Sequence, residues 1–358
     1  MIEGESPVSG EPASPASATG SRPARSTLLD LVRGQIRVLQ SYHRAVMETG
    51  EEEAIHKMRV TTRRLQASID LLISNHRHSD RDKTERYVRK LKKRLRKWRR
   101  LLSRVRNYDV FSILIEKETA RRRSHREQYE LLKGILNQHR TANIEKVRQK
   151  LEGINIVAIA ARLGIDSVPD TTETTNSEAE KPEATKQSQD QAAVEARARL
   201  TDERKIALRA AQRLEQRVEE FHVLAAGVHP TTHPEELHQL RIAAKRVRYL
   251  LEIISEMGVG KSDRALAWLR SLQDRIGDWH DLEALEEEII AIVSQRGFMK
   301  EHLAESSRIL QAAAQLQKKK VALVARLFPI TVPKHLGLTS ERLIRALRRK
   351  AAREESAT

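Results

Sequence analysis

Two segments of this chain, one in each half, carry the same pattern, and that duplication limits the fold more than any other feature. The first places His56, Arg59, Arg63, Arg64 and Gln66 at offsets of zero, three, seven, eight and ten; the second places His238, Arg241, Lys245, Arg246 and Arg248 at the same offsets. Apolar positions match as well: Met58, Leu65, Ile69 and Leu72 correspond to Leu240, Val247, Leu251 and Ile254. At about 100° per residue, offsets zero, three, seven and ten fall within an arc of about 80° on a helix. Each segment therefore reads as a helix with a cationic stripe and a separate apolar stripe that can enter a core. Arg64 and Arg246 lie off the main stripe. A repeat of this kind predicts two similar helical bundles related by an approximate two-fold, with their cationic stripes turned toward a shared surface.

The remaining chain supports an all-α fold. Leu28, Leu29, Val32, Ile36 and Leu39 recur at three- and four-residue steps, with Ser26 placed to cap that helix. Further helices are predicted over 51–74, 81–105, 110–151, 193–221, 235–257, 263–276, 282–296, 301–327 and 340–353. No stretch alternates strictly and no Asn-Gly or Asp-Gly turn marks a hairpin. Residues 1–25, rich in Ser and Pro, are expected to be disordered. The stretch 165–192 is expected to link a first bundle over 26–160 to a second over 193–350.

Charge narrows the partner. Lys and Arg number 66 against 49 acids, a formal net charge of +17, which favours a polyanion. Aromatic residues make up 3% of the chain, leaving few platforms on which bases could stack. The charge is thus directed at phosphates rather than at bases. From Arg86 to Arg106 more than half of the positions are Lys or Arg and none is acidic. Val88, Leu91, Leu95, Trp98, Leu102 and Val105 still give that segment a docking face. Lys90, Arg94 and Lys97, beside that face, are expected to continue the cationic surface of the second helix. Cysteine is absent, which excludes disulfide and thiolate chemistry and suits a cytoplasmic setting. The most apolar short stretch, 154–161, is far below the roughly 20 residues of a membrane helix.

After the basic segment the halves agree again: LLSRVRNYDV in the first and LQDRIGDWHDL in the second, with Arg106 and Asn107 matching His280 and Asp281. Together with HKMRVTTRRL and LHQLRIAAKRVRYL, these motifs resemble the CHAD domain, the conserved-histidine α-helical domain. The resemblance covers residues 27–350 and implies a pair of four-helix bundles about a pseudo-two-fold axis. It also implies a basic central groove or pore that binds inorganic polyphosphate, with some members associated with polyphosphate granules. The family's histidines fall on His56 and His238. Its basic positions fall on Arg59, Arg63 and Arg64, and on Arg241, Lys245, Arg246 and Arg248. Gln66 stands where many members have a cation, and Ser103 where a glycine is common, as at Gly277. Residues 1–25 are too short and polar for the triphosphate-tunnel domain that some members carry, so no enzymatic role is borrowed from it.

The expected site is therefore these residues with Lys90, Arg94, Lys97, Arg106 and His280, holding polyphosphate without catalysis. His56 and His238 read equally as partly buried residues hydrogen-bonding across the bundle interface or as phosphate donors whose protonation would tighten binding below about pH 6.5. Nucleic acid is the second reading. Carboxylates near the histidines (Glu51, Glu52, Glu53, Asp278 and Asp281) read as helix-terminal acids and ion-pair partners rather than metal ligands. GVGKS at 258–262 lacks the first glycine and preceding strand of a phosphate loop and reads as a helix C-cap. No cofactor is expected.

Overall fold

The computed structural model describes residues 27–72, 83–121, 126–163, 203–229 and 233–356. Those residues form eleven helices and no strand: α1 (Leu28–Glu48), α2 (Glu52–Leu72), α3 (Lys83–Arg121), α4 (Arg126–Leu151), α5 (Val157–Arg162), α6 (Glu203–Gly227), α7 (Pro234–Glu256), α8 (Asp263–Val293), α9 (Arg296–Glu301), α10 (Leu303–Leu327) and α11 (Lys334–Ser356). The expected disordered terminus, the Ser26 cap and the linker lie outside the described residues. The observed cap on α1 is Thr27, in a reciprocal box: the Asp30 N–H donates to Thr27 Oγ1 at 3.2 Å, and the Thr27 N–H donates to Asp30 Oδ2 at 3.1 Å.

One expectation fails at equivalent places in both halves. Breaks were expected after residues 105 and 276, yet α3 runs unbroken for 39 residues and α8 for 31. Neither RNYDV nor GDWHDL contains a proline, and a lone interior glycine weakens a helix by only about 1 kcal/mol. Packing on both sides of each point outweighs that cost.

The long helices serve two cores. The larger draws Val32, Leu39, Ile55, Leu65, Leu95 and Leu102 from the first half, and Ala210, Phe221, Leu240, Val247, Leu251 and Leu269 from the second. The smaller lies toward the far ends of α3 and α8. There Phe111 and Ile115 meet Leu132 and Leu136 of α4, Leu285 and Ile289 of α8, and Ile309 and Leu316 of α10. This outer core is a four-helix arrangement with two helices from each half. Helices that touch between the halves include the equivalents α2 with α7, α3 with α8, and α4 with α10, as a two-fold relation requires.

Each long helix is pinned to its outer partner by a buried ion pair. In the first half Arg140 donates to the buried Asp109 at 2.6 Å and also to the Gly50 carbonyl at 3.1 Å. In the second half Lys320 sits between Glu283 and Glu286. Glu283 follows His280 at the same step by which Asp109 follows Arg106, so the two acids are repeat equivalents. The aspartate of RNYDV is thus a structural anchor.

Gly50 closes α1 with φ of +65°, and a Cβ there would stand 2.9 Å from Ile144 Cγ1. Gly50→Ala is expected to destabilise the fold by about 2 kcal/mol, combining left-handed strain with overpacking. Gly34 lies inside α1 with nothing within 4 Å of its Cβ position. Gly34→Ala should stabilise by about 0.5–1 kcal/mol. Urea denaturation of the two variants checks the pair, and equal midpoints would contradict it.

Candidate anion-binding cleft

The cationic stripes meet where α2 and α7 face each other. Between them, walled also by α3, α6 and α8, is an open cleft of about 630 Å³. α2 supplies Arg59 and Arg63; α7 supplies His238, Arg241, Lys245 and Arg246; and α8 supplies His280. The apolar faces of α2 and α7 place these side chains. Met58, Leu65 and Ile69, and likewise Leu240, Val247 and Leu251, are fully buried on the opposite side, which turns the cationic stripe toward the cleft; Ala67, Leu71, Ile242 and Leu250 line it too, as does Asp70, which pairs with Lys92 and Arg213.

Proximity shows in the electrostatics. Burial, reinforced by Arg241, Arg63, Arg59 and Arg248, lowers Lys245 to a pKa of about 6. Arg59 is lowered to about 9 by burial and then by Arg63, Arg106 and Arg241. Burial also lowers Arg241, with Asp281 opposing and Arg63 adding to the effect. Cations from both repeats therefore act on one another in a single field.

The cations divide into two kinds. Arg64 and Arg248 reach Glu252 at 3.2 and 3.6 Å, Arg246 donates to Glu220 at 2.7 Å, and Arg106 pairs with Glu52. By contrast, Arg59, Arg63, Arg241 and Lys245 form no ion pair with a carboxylate among the described residues. The Nε atoms of Arg59 and Arg241, which are repeat equivalents, are buried without a hydrogen-bond partner, as are those of Arg64 and Arg248. Buried guanidinium donors of this kind fit an anion that enters the cleft.

The histidines take different places. His238 lines the cleft, with its ring 5.4 Å from that of His280. Burial, then Arg241, His238 and Lys245, pushes His280 down to about 3, so near neutral pH it is uncharged and offers one N–H. His56 does not line the cleft. It is half-buried beside Arg106 and Arg59, and burial first, then those charges, lowers its pKa. Its protonation therefore begins below the usual histidine range, which moves the expected tightening below pH 6.5 to lower pH for His56.

The expectation for Lys90, Arg94 and Lys97 is not met. They project from another face of α3 and border separate cavities with α5. The residues of α3 that reach the central cleft are Arg96, Arg99, Ser103 and Asn107. Lys97 and Arg99 are two positions apart, about 200° around the helix, so they cannot share a surface. Their signal was present in the sequence: Arg96, Arg99, Ser103 and Arg106 follow the same zero, three, seven, ten spacing. Arg213 and Arg217 of α6 also line the cleft, and an ordinary four-residue arginine pair gave no such hint. Gln66, which replaces a family cation, accepts from Arg99 at 3.1 Å. A Cβ at Gly277 would meet only the Arg241 guanidinium, at 3.8 Å, so Ser103 at the equivalent place carries no steric cost.

Among the described residues, no group of three or more His, Asp and Glu side chains could hold a metal ion, and no helix is long and apolar enough to cross a membrane.

Comparison with known proteins places this geometry. No characterised protein matches the sequence significantly. Among solved structures, the CHAD domain from the plant Ricinus communis superposes with a TM-score of 0.53 at 17% identity, covering 86% of this chain and 92% of that one. PptA from Streptomyces chartreusis superposes with a TM-score of 0.50 at 16% identity, covering 91% and 98%. At these identities the likeness concerns the fold. The CHAD-domain family profile matches residues 30–289, and the chain belongs to the CHAD-domain family.

Proposed function

We propose that the central cleft binds inorganic polyphosphate and performs no chemistry on it. The observation that carries this reading is the set of four basic side chains, Arg59, Arg63, Arg241 and Lys245, gathered from both repeats without a carboxylate ion pair among the described residues. A cluster of like charges repels itself and needs an anion to relieve it. A string of phosphates does so at each unit, with arginine forks binding oxygens and lysine acting as a point charge. The lining suits phosphate better than bases. It includes Tyr249 and no tryptophan or phenylalanine; Tyr249 is buried, and Arg248 lies over its ring at 4.8 Å. Arg248 thus covers one face of that ring, and the buried tyrosine offers a base little area to stack on.

Of the paired cations Arg246 borders the cleft, while Arg64, Arg248 and Arg106 stand outside its lining; in this reading the unpaired four form the contact set. Association with polyphosphate granules follows as the cellular consequence.

Reversing Arg59 and Arg241 to Glu removes two charge-assisted contacts worth about 1.5–3 kcal/mol each. It should weaken long-chain polyphosphate binding at least about 100-fold, whereas Arg64→Gln with Arg246→Gln should change it less than about tenfold. Calorimetry over a range of salt concentrations checks this, with a shallower salt slope expected for the first variant. Duplex DNA, if bound, should be displaced by polyphosphate at far lower phosphate concentration. Displacement in the reverse order would favour nucleic acid.

Lys245 gives the reading a pH signature. With a free-state pKa of about 6, it is mostly neutral at pH 8, and a bound polyanion raises its pKa. Binding then takes up a proton above pH 6, so affinity should fall as pH rises from 6 toward 8, by up to about tenfold per unit for one proton. Lys245→Gln should flatten that profile.

The same shift affects stability. Between about pH 6 and the unfolded lysine range near 10.5, the unfolded chain holds more protons than the folded one, so this group's contribution makes the fold more stable as pH rises. Lys245→Met should therefore stabilise the ligand-free protein, by on the order of 1 kcal/mol at neutral pH. A melting curve that is lower than wild type would contradict the reading.

A further inference from the structure

A second cavity, of about 430 Å³, opens on the face of α3 turned away from the central cleft, between that helix, the end of α4 and α5. Its floor is apolar: Leu91 and Trp98 of α3 meet Ile154, Ala158 and Ile159, with Tyr87 at the edge. Its rim is cationic, formed by Arg94, Lys97, Lys150 and Arg162. No carboxylate lines it, and none of those four cations forms an ion pair among the described residues. A smaller adjoining cavity of about 220 Å³ adds Lys90 and shares Tyr87, Arg94 and Arg162.

The site is held by structure rather than left over from it. The Asn155 side chain accepts the Ala158 N–H at 2.9 Å and starts α5. Ile156 and Ile159 are buried in the main core, and α5 packs on α1. Gly153, with φ of +69°, turns the chain from α4 into this segment. The Arg162 guanidinium lies over one face of the half-exposed Tyr87 ring, 5.8 Å from its centroid, which leaves the ring's other face and edge for a ligand.

A bare phosphate chain would use the rim and leave the floor against water. A wholly apolar ligand would leave the cations unanswered. The geometry points to a small organic phosphate of the nucleotide class, bound here with its phosphates on Arg94, Lys97 and Arg162 and its flat ring system over Tyr87 and the apolar floor. The volume lies within the roughly 300–1,000 Å³ usual for small-molecule pockets, and the mix of apolar floor with a few convergent cations is what such ligands require. This site stands apart from whatever the central cleft holds.

Calorimetry on the full chain in magnesium-free buffer, with ATP and inorganic tripolyphosphate as probes, tests it. ATP is expected to bind at least tenfold more tightly than tripolyphosphate, because only ATP can cover the floor. Arg94→Glu with Lys97→Glu should weaken ATP at least tenfold and change long-chain polyphosphate affinity less than threefold. Both side chains are exposed, so folding should survive, and an unchanged circular dichroism melt confirms that. Tyr87→Ala should weaken ATP and leave tripolyphosphate as it was. The Arg59→Glu, Arg241→Glu variant should retain ATP binding even if it loses polyphosphate. The proposal is overturned if ATP fails to bind or binds no better than tripolyphosphate. It is also overturned if ATP binding is lost in the Arg59→Glu, Arg241→Glu variant while surviving in the Arg94→Glu, Lys97→Glu variant.

Discussion

Repulsion among half-buried cations is the constraint around which this molecule is arranged. Arg59, Arg63, Arg241 and Lys245 share one cleft, where the arginines lower one another's proton affinity and that of Lys245. Unopposed, such a cluster would drive α2 and α7 apart. They stay together because each buries a continuous apolar face on its far side, from Met58 to Leu72 and from Leu240 to Ile254. A fully buried side chain of this size contributes about 1.5–3 kcal/mol. Several per helix outweigh repulsion that the open, solvent-facing side of the cleft partly screens. The hydrophobic repeat therefore makes the cationic repeat possible, which is why both recur at the same offset.

The outer core has a related task. α3 and α8 each carry cleft residues midway along their length, Arg99 and His280 among them, and a long helix anchored at one end alone could tilt. Beyond the cleft, Phe111, Ile115, Leu285 and Ile289 tie the two helices to α4 and α10. The Asp109–Arg140 pair and the Lys320 site fix them further. Tyr108 and His139, from the first half, both reach Glu288 of α8, at 3.2 and 3.3 Å. The cleft thus has a core on either side along the long helices, which holds its walls at a set separation.

Much of this was legible in the sequence because helical spacing converts directly into a face. The offsets from His56 and His238 placed Arg59, Arg63, Arg241 and Lys245 together, and the apolar positions gave the buried side. Other features were not legible for physical reasons. Helix continuity through residues 105–110 depends on tertiary packing at both ends, which local propensity does not report. Assigning Lys90, Arg94 and Lys97 to the surface of α2 required knowing which of several cationic faces of α3 turns inward. Cations fill so much of Arg86 to Arg106 that every face outside the apolar stripe is basic. The stripe through Arg96, Arg99 and Arg106 copied the motif spacing and would have settled the choice. Arg213 and Arg217 enter the cleft through the placement of α6 against α2, a contact with no local signature.

The distribution of carboxylates around the cleft shows how the charge is graded. At the periphery the motif cations have found acids: Arg64 and Arg248 share Glu252, Arg246 takes Glu220, and Arg106 takes Glu52. Glu252 is buried and also takes Arg270 at 3.6 Å, so Arg64 and Arg248 are held rather than free. Asp281, near the centre, is itself raised by burial against the pull of Arg241, Arg106 and Lys245. It stays outside ion-pair distance of Arg241 and Lys245 among the described residues. Pairing the outer arginines closely while Asp281 opposes the central cations only from beyond ion-pair distance concentrates the positive field along the line where the two repeats face each other. On the proposed function, this gradient is what would direct a mobile anion to that line. Net charge alone would attract polyanions without placing them; in that proposal the pairing of the outer arginines gives the attraction a location.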